Sequence, residues 1–388
     1  MTPTLTVGAA RLGTHVEPLD DLLTRALARI AAAEPTNVGF QRSTDLCYKK
    51  VAPFLKYMIN NYGDPRTVGI YPAHAKDAEL ASLTYFAGLF EAPQGWSGYV
   101  TAGGTESTLY ALALARIAHP GAVVYCSAAA HDSVRKVAGL LQLPVVVVGT
   151  LAHGEMDYLS LQRHAYRYRY RPAIVVCTIG TTSSEAVDNV PQARQALAAA
   201  GITAAWFHAD AALAGPHLAL CGRTDFCLRP GGADSIGTSS HKWYGTPVTG
   251  SVVLIGESPL DSDLVPSYVG SIDNTISSSR PGLTSICLYH GISQVARRGP
   301  DAHRLRALRA RDLAADACRR LGEIGWPCWR VPDAITVMLR PLPGPLRQQW
   351  PMPRDGGWAH FVCTPGAQPK VERLINHLTT HLQKELIL

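Results

Sequence analysis

The rhythm of apolar and polar residues changes several times along this chain. From Pro18 to Ala33 the apolar residues Leu19, Leu22, Leu23, Ala26, Leu27 and Ile30 recur on one side of a helix, and Pro35 stops the pattern. Thr44 to Asn60 reads as a second helix, halted by the turn-forming run Asn61-Tyr62-Gly63-Asp64-Pro65. A third helix is expected at Ala75–Phe90. Beyond it, short apolar runs alternate with helical patterns. Strands are expected at Gly98–Thr101, Ala122–Cys126, Val145–Val148, Ile174–Thr178, Thr203–His208 and Ser251–Ile255, and helices at Thr105–His119, Asp132–Leu141, Tyr158–Arg171 and Pro191–Ala200. This alternation predicts an α/β fold whose central sheet is mostly parallel, with helices on both faces. A composition shift at Arg297-Arg298-Gly299-Pro300 opens a second unit. It holds a helix at Asp301–Leu321, strands at Ile335–Leu339 and His360–Cys363, a Pro-rich loop over 341–353, and a helix at Lys370–Leu386. The expected division is a helical arm (1–70), a large domain (71–296) and a smaller C-terminal α/β domain (297–388). The arm is expected to pack on a partner subunit.

Composition narrows the class. At 388 residues, 47% hydrophobic and 17% charged, the chain is globular rather than disordered and can bury a large core. A net charge of +6 is small for this length and does not point to nucleic acid. The run Tyr166-Arg167-Tyr168-Arg169-Tyr170-Arg171 interleaves bases and aromatics, but no other basic cluster adjoins it and Pro172 follows, so it reads as an exposed helix end. Nine cysteines without a CxxC pair suit reduced thiols and a cytoplasmic location. The fourteen histidines show no metal-ligand spacing, so no metal is expected. No apolar run approaches the roughly 18 residues of a membrane span, and Met1–Val7 does not read as a signal peptide.

Three stretches carry candidate chemistry. In Gly98-Tyr99-Val100-Thr101-Ala102-Gly103-Gly104-Thr105-Glu106-Ser107 a strand runs through glycines into a helix, with Thr105 as the expected N-cap. The free N–H groups and positive end of such a helix bind phosphate. The run fits neither GxGxxG nor GxxxxGK[ST], so nucleotide motifs fail here. In Trp206-Phe207-His208-Ala209-Asp210-Ala211-Ala212 a buried strand ends just before Asp210, where α/β sheets bind ligands. That carboxylate could cap a turn or pair with a pyridinium nitrogen. In Ser239-Ser240-His241-Lys242-Trp243-Tyr244-Gly245 a lysine sits between two sheet elements. Taken alone, Lys242 is compatible with a solvated loop lysine and with a desolvated amine that attacks a carbonyl.

The order of these three stretches resembles the aspartate-aminotransferase-like fold, fold type I of the pyridoxal-phosphate enzymes. The local wording, His131-Asp132-Ser133-Val134-Arg135-Lys136, Gly180-Thr181-Thr182, His208-Ala209-Asp210-Ala211-Ala212-Leu213-Ala214-Gly215 and Ser240-His241-Lys242-Trp243, resembles the group II amino-acid decarboxylases. Asn60-Asn61-Tyr62-Gly63-Asp64-Pro65 and Thr275-Ile276-Ser277-Ser278-Ser279-Arg280 are similar to the short branch that holds bacterial histidine decarboxylase and plant serine decarboxylase. The likeness runs from about Gly39 to the C-terminus.

The resemblance implies a homodimeric enzyme that binds pyridoxal 5′-phosphate and releases CO2 and a primary amine from an amino acid, with the active site at the subunit interface. Lys242 would hold the cofactor, Asp210 would keep its ring nitrogen protonated, and His131 would stack on the ring or remain a loop histidine. Gly103, Gly104 and Thr105 would bind phosphate with Ser239 and His241. Ala212 would pack beneath the ring, and Thr181 or Thr182 would add a cofactor contact. His74 matches a histidine near the substrate carboxylate, or simply starts a helix. Tyr268 is the first candidate for returning a proton to Cα and is equally readable as an interface residue. Arg280 could serve phosphate or subunit contacts. The chain departs from the family at Glu185, where Gly stands before Ala-x-Asp, and at Pro281 and Leu283, which replace Asn and His. These last two leave open whether the substrate is histidine or an aliphatic amino acid. Oxidative decarboxylation to an aldehyde on the same cofactor is the alternative outcome, and a non-catalytic scaffold would lack Lys242 or Asp210.

Overall fold

A computed structural model describes residues 19–40, 42–260 and 270–385. Twelve helices occur among these residues: α1 (Leu19–Ala33), α2 (Lys76–Leu89), α3 (Gly104–Ala118), α4 (Ser133–Leu140), α5 (Tyr158–Arg167), α6 (Val190–Ala199), α7 (Gly215–Leu220), α8 (Ser240–Trp243), α9 (Gly282–Ala296), α10 (Ala302–Glu323), α11 (Gly344–Gln349) and α12 (Gln368–Glu385). The strands are β1 (Ser97–Thr101), β2 (Val123–Ser127), β3 (Val145–Val148), β4 (Ala173–Thr178), β5 (Ala205–Asp210), β6 (Ser235–Ser239), β7 (Ser251–Ile255), β8 (Cys328–Trp329), β9 (Thr336–Leu339), β10 (Arg354–Asp355) and β11 (Trp358–Val362).

The first seven strands form one sheet in the order β1-β7-β6-β5-β4-β2-β3. Strands β2 to β6 pair in parallel, while β7 runs antiparallel to both of its neighbours. Every residue of β2 and β4 is buried, as a sheet covered on both faces requires. The two-residue period divides them cleanly. Val123, Tyr125, Val175 and Cys177 face one core with α2, α5 and α6, while Val124, Cys126, Ile174 and Val176 face the other with α3 and α4. The parallel register aligns Thr178 with Asp210 and Asp210 with Gly237 at the carboxyl ends of the strands. A second sheet, β10-β11-β9-β8, is antiparallel. Val337, Leu339, Ala359 and Phe361 on one of its faces pack against α10 and α12, whereas Ile335 and Val362 join the core of the larger sheet.

Three local expectations are corrected. Thr44–Asn60 is not an α-helix. Only a 3-10 segment forms, at Lys49–Lys56, and it contains Pro53, which has no N–H for a helical bond. Thr105 is the second residue of α3, and the N-cap position belongs to Gly103. The stretch 341–353 is not all loop, since it contains α11.

Candidate active site

The carboxyl ends of β4, β5 and β6 and the start of α3 converge on a cavity of ≈ 210 Å³. Its walls include Gly104, Thr105, His131, Asp210, Ala212, Ser239, His241 and Lys242. With Thr182, nine residues singled out in the sequence, from five separate stretches, therefore meet in one place.

Lys242 lies in the single turn of α8, directly after β6. Burial pushes the pKa of its ammonium down from the ordinary lysine value, and the charge of Asp210 partly restores it. Depression toward the neutral amine favours a nucleophile. The backbone around it is fixed: Lys242 O accepts from Ser43 N at 3.0 Å, and Trp243 O accepts from Ser43 Oγ at 2.7 Å and from an Arg306 guanidinium nitrogen at 2.8 Å. The chain leaves through Gly245, whose φ of 59° and close approach to Ser43 O leave no room for a side chain.

Asp210 is the last residue of β5 rather than the residue beyond it, and its Oδ1 accepts from Ala212 N at 3.3 Å. His131 lines the cavity and is exposed. Its Nδ1 lies 2.8 Å from Ser133 Oγ and accepts from Ser133 N at 3.2 Å, which fixes the ring's direction. His241 is anchored at Gly250 O, 3.1 Å from its Nδ1, and burial lowers its pKa, so its imidazole is biased toward the neutral form. On the same wall, the first N–H groups of α3 lack helical partners. A methyl group built on Gly104 would stand 3.6 Å from Ser239 Oγ, so the helix start and this hydroxyl form one open corner.

The remaining expected residues do not all reach the wall. Thr182 lines the cavity, but Thr181 is turned into the protein, its Oγ1 held by Ser184 Oγ and Ala186 N. Gly103 precedes the cavity wall as the cap of α3. His74 is outside the wall, with its Nδ1 accepting from Lys76 N at 3.4 Å. Leu283, in the first turn of α9, is also outside it. Tyr268 falls outside the described residues. Three further wall residues, Ser133, Thr178 and Gly180, escaped the sequence reading. Gly180 had a signal, since it opens the Gly-Thr-Thr run. Its φ is 97° and an added methyl would stand 2.6 Å from the Ala214 methyl.

This donor set fits pyridoxal 5′-phosphate. An amine, a strand-end carboxylate and a helix N-terminus line one small cavity. The buried Thr178 Oγ1 on the same wall has no partner among the described residues. Among those residues no group of three His, Cys, Asp or Glu side chains could hold a metal ion.

Fold and site thus define a fold type I enzyme that uses pyridoxal phosphate. The chain belongs to the pyridoxal-dependent decarboxylase family, whose conserved-domain model matches residues 51–270. It is an amino-acid decarboxylase, a carboxy-lyase dependent on that cofactor. Histidine decarboxylase of Mesorhizobium japonicum is 36% identical over 355 residues, 90% of this chain and 95% of the relative. Histidine decarboxylase of Morganella morganii is 33% identical over 336 residues, 84% of this chain and 87% of the relative. Among solved structures, L-methionine decarboxylase of Streptomyces sp. 590 superposes with a TM-score of 0.82 at 21% identity, covering 97% of this chain and 98% of that one. At that identity the likeness speaks for the fold alone.

Proposed function

We propose that the chain decarboxylates L-histidine to its primary amine, with Lys242, Asp210 and His131 as the reacting-centre residues. The observation that carries this reading is the meeting of Lys242, Asp210 and the α3 N-terminus on one cavity wall. When bound, pyridoxal phosphate supplies an electron sink for the pair left behind by the departing carboxylate. Lys242, desolvated, would hold the cofactor's carbonyl carbon. Asp210 would hold a proton on the ring nitrogen. Gly104, Thr105 and Ser239 would bind the phosphate, and Ala212 would support one ring face. His131, directed by Ser133, would cover the other face and could return a proton to Cα, with Tyr268 the first candidate for that step.

Histidine is favoured over an aliphatic substrate on two grounds. The relatives of highest identity described above are named histidine decarboxylases. Pro281 and Leu283, the grounds for expecting a more apolar pocket, are both off the cavity wall. We further infer a homodimer. The apolar side of α1 is uncovered in the single chain, with Leu27 69% and Ile30 60% exposed, and Leu55, Met58 and Ile70 are also bare. A second copy would cover these residues.

The test is a panel of amino acids offered to the holoenzyme, with amine, CO2, ammonia and oxygen uptake measured. Histidine consumption with equal amine and CO2 and no ammonia supports the reading. Oxygen uptake with ammonia would instead place the chain with oxidative decarboxylation. Lys242→Ala should abolish the cofactor's visible absorption band. Retention of that band would remove Lys242 from its role.

A further inference from the structure

Glu185 is an unusual residue to find in its place. Its φ is 61°, in the left-handed region where glycine is least strained, and its side chain is 1% exposed. A carboxylate so deeply buried needs donors, and Glu185 collects them from two different parts of the molecule. Its Oε1 receives His217 Nε2 at 2.8 Å and Ile335 N at 3.1 Å. Its Oε2 receives Ile335 N at 3.1 Å and Thr336 Oγ1 at 2.5 Å. Thr336 opens β9 of the smaller sheet and Ile335 immediately precedes it, while His217 belongs to α7, which follows Asp210 and Ala212.

The connections continue toward the cavity on three lines. The backbone of Glu185 donates to Thr181 O at 3.0 Å, and Ala186 closes the same turn on Thr181, so the turn carrying Gly180 and Thr182 is held by this residue. The Glu185 Cγ is 3.4 Å from where a methyl on Gly180 would stand. The His217 ring lies 5.6 Å from the indole of Trp243, the residue after Lys242. One buried carboxylate therefore touches β9, the β4 end-turn and the helix that backs the lysine turn.

We propose that Glu185 is a positioning residue which, through His217 and Trp243, makes the placement of the Lys242 turn depend on the docking of β9. It contacts no reacting atom. The proposal rests on Lys242 as the cofactor lysine, so one arm of its test is read without cofactor.

Glu185→Gln keeps the shape but replaces one acceptor oxygen by a donor. Thr336→Val removes only the hydroxyl donated from β9, and Thr336→Ser restores it. In the cofactor-free protein, amide hydrogen exchange should quicken at 335–338 and, together with it, at 241–245, while 251–255 keeps its protection. In the loaded protein, the cofactor should dissociate about tenfold faster or more in Glu185→Gln, in line with loss of a hydrogen bond to a buried charge. Its visible band should shift in both Glu185→Gln and Thr336→Val and return to the parent position in Thr336→Ser. If exchange rises at 335–338 alone, and band and dissociation stay at parent values in both variants, the coupling is overturned. If Glu185→Gln does not fold, the Thr336 pair decides alone. Failure of the Lys242 assignment would appear separately, as coupled exchange without any change in the band.

Discussion

The guanidinium of Arg280 donates to the carboxylate of Glu79, and both side chains are sealed from solvent. Glu79 also accepts from Asn61 Nδ2 at 2.7 Å and from Val100 N at 2.8 Å, while Arg280 donates to Gly63 O at 2.6 Å. The two stretches that marked the short branch, Asn60–Pro65 and Thr275–Arg280, are thus tied together beneath β1, the strand that delivers Gly103 and Gly104. A backbone bond from Asn61 N to Arg280 O at 2.9 Å completes the knot. Arg280 serves neither the cavity nor the exterior.

Glu79→Gln should cost about 3–5 kcal/mol of stability, because it leaves a buried guanidinium without its countercharge. Chemical denaturation of the cofactor-free protein measures this. A loss within about 0.5 kcal/mol would mean that the pair is not the anchor described here.

Asp210→Asn should leave cofactor binding close to that of the parent and lower kcat about a hundredfold or more. The amide cannot hold the ring nitrogen protonated as a carboxylate does. Equilibrium titration with pyridoxal phosphate and single-turnover rates separate the two effects. Weak binding with normal turnover of the bound fraction would contradict the assignment.

His360 on β11 is buried, and neither ring nitrogen has a partner among the described residues. Burial pushes its pKa down from 6.5 to about 4, against the opposing charges of Asp355 and Glu185. Between those values the unfolded chain binds a proton that the native chain refuses, so this group costs stability as pH falls from 6.5 toward 4. His360→Leu should raise stability by about 1–3 kcal/mol at pH 8 and by more at pH 5. His208 and His303, also held at about 4, act in the same direction, and Asp188, raised to about 7, opposes them. The difference between variant and parent melting curves cancels these shared contributions.

Asp45 pairs with Arg306 at 2.8 Å and with Arg298 at 3.4 Å. Burial alone would push its pKa up, but the hydrogen bond and charge of Arg306, with the charge of Arg298, outweigh this and hold it below 3.8. Its stabilisation is therefore complete above the unfolded value and is lost as pH falls through the lower native one. Asp45→Asn should cost about 2–3 kcal/mol at pH 7, and the deficit should shrink below pH 3.8. A deficit independent of pH would assign the effect to packing.

The central strands were legible because each is a short apolar run between turn signals, and β3 and β7 fall at the expected bounds. Helix α9 was not foreseen. It is buried on several sides, from Thr284 and Ser285 to Cys287, Leu288 and Val295, and so shows no polar stripe for periodicity to find. Ser133 and Thr178 were missed for a different reason. A hydroxyl near a strand end looks the same whether it faces a cavity or a neighbour.

What the sequence by itself determined is the chemistry: an amine, a carboxylate and a helix start in a fixed order, with strands whose periodicity demands two covered faces. Those are local properties, written in residue type and spacing. Only the tertiary structure decided which side chains share a wall. It turned Thr182 toward the cavity and Thr181 away, buried Arg280 on Glu79, and joined Glu185 to β9 across about 150 residues of chain. Such pairings depend on strand register and on how one sheet docks against another, and no stretch of chain carries them alone.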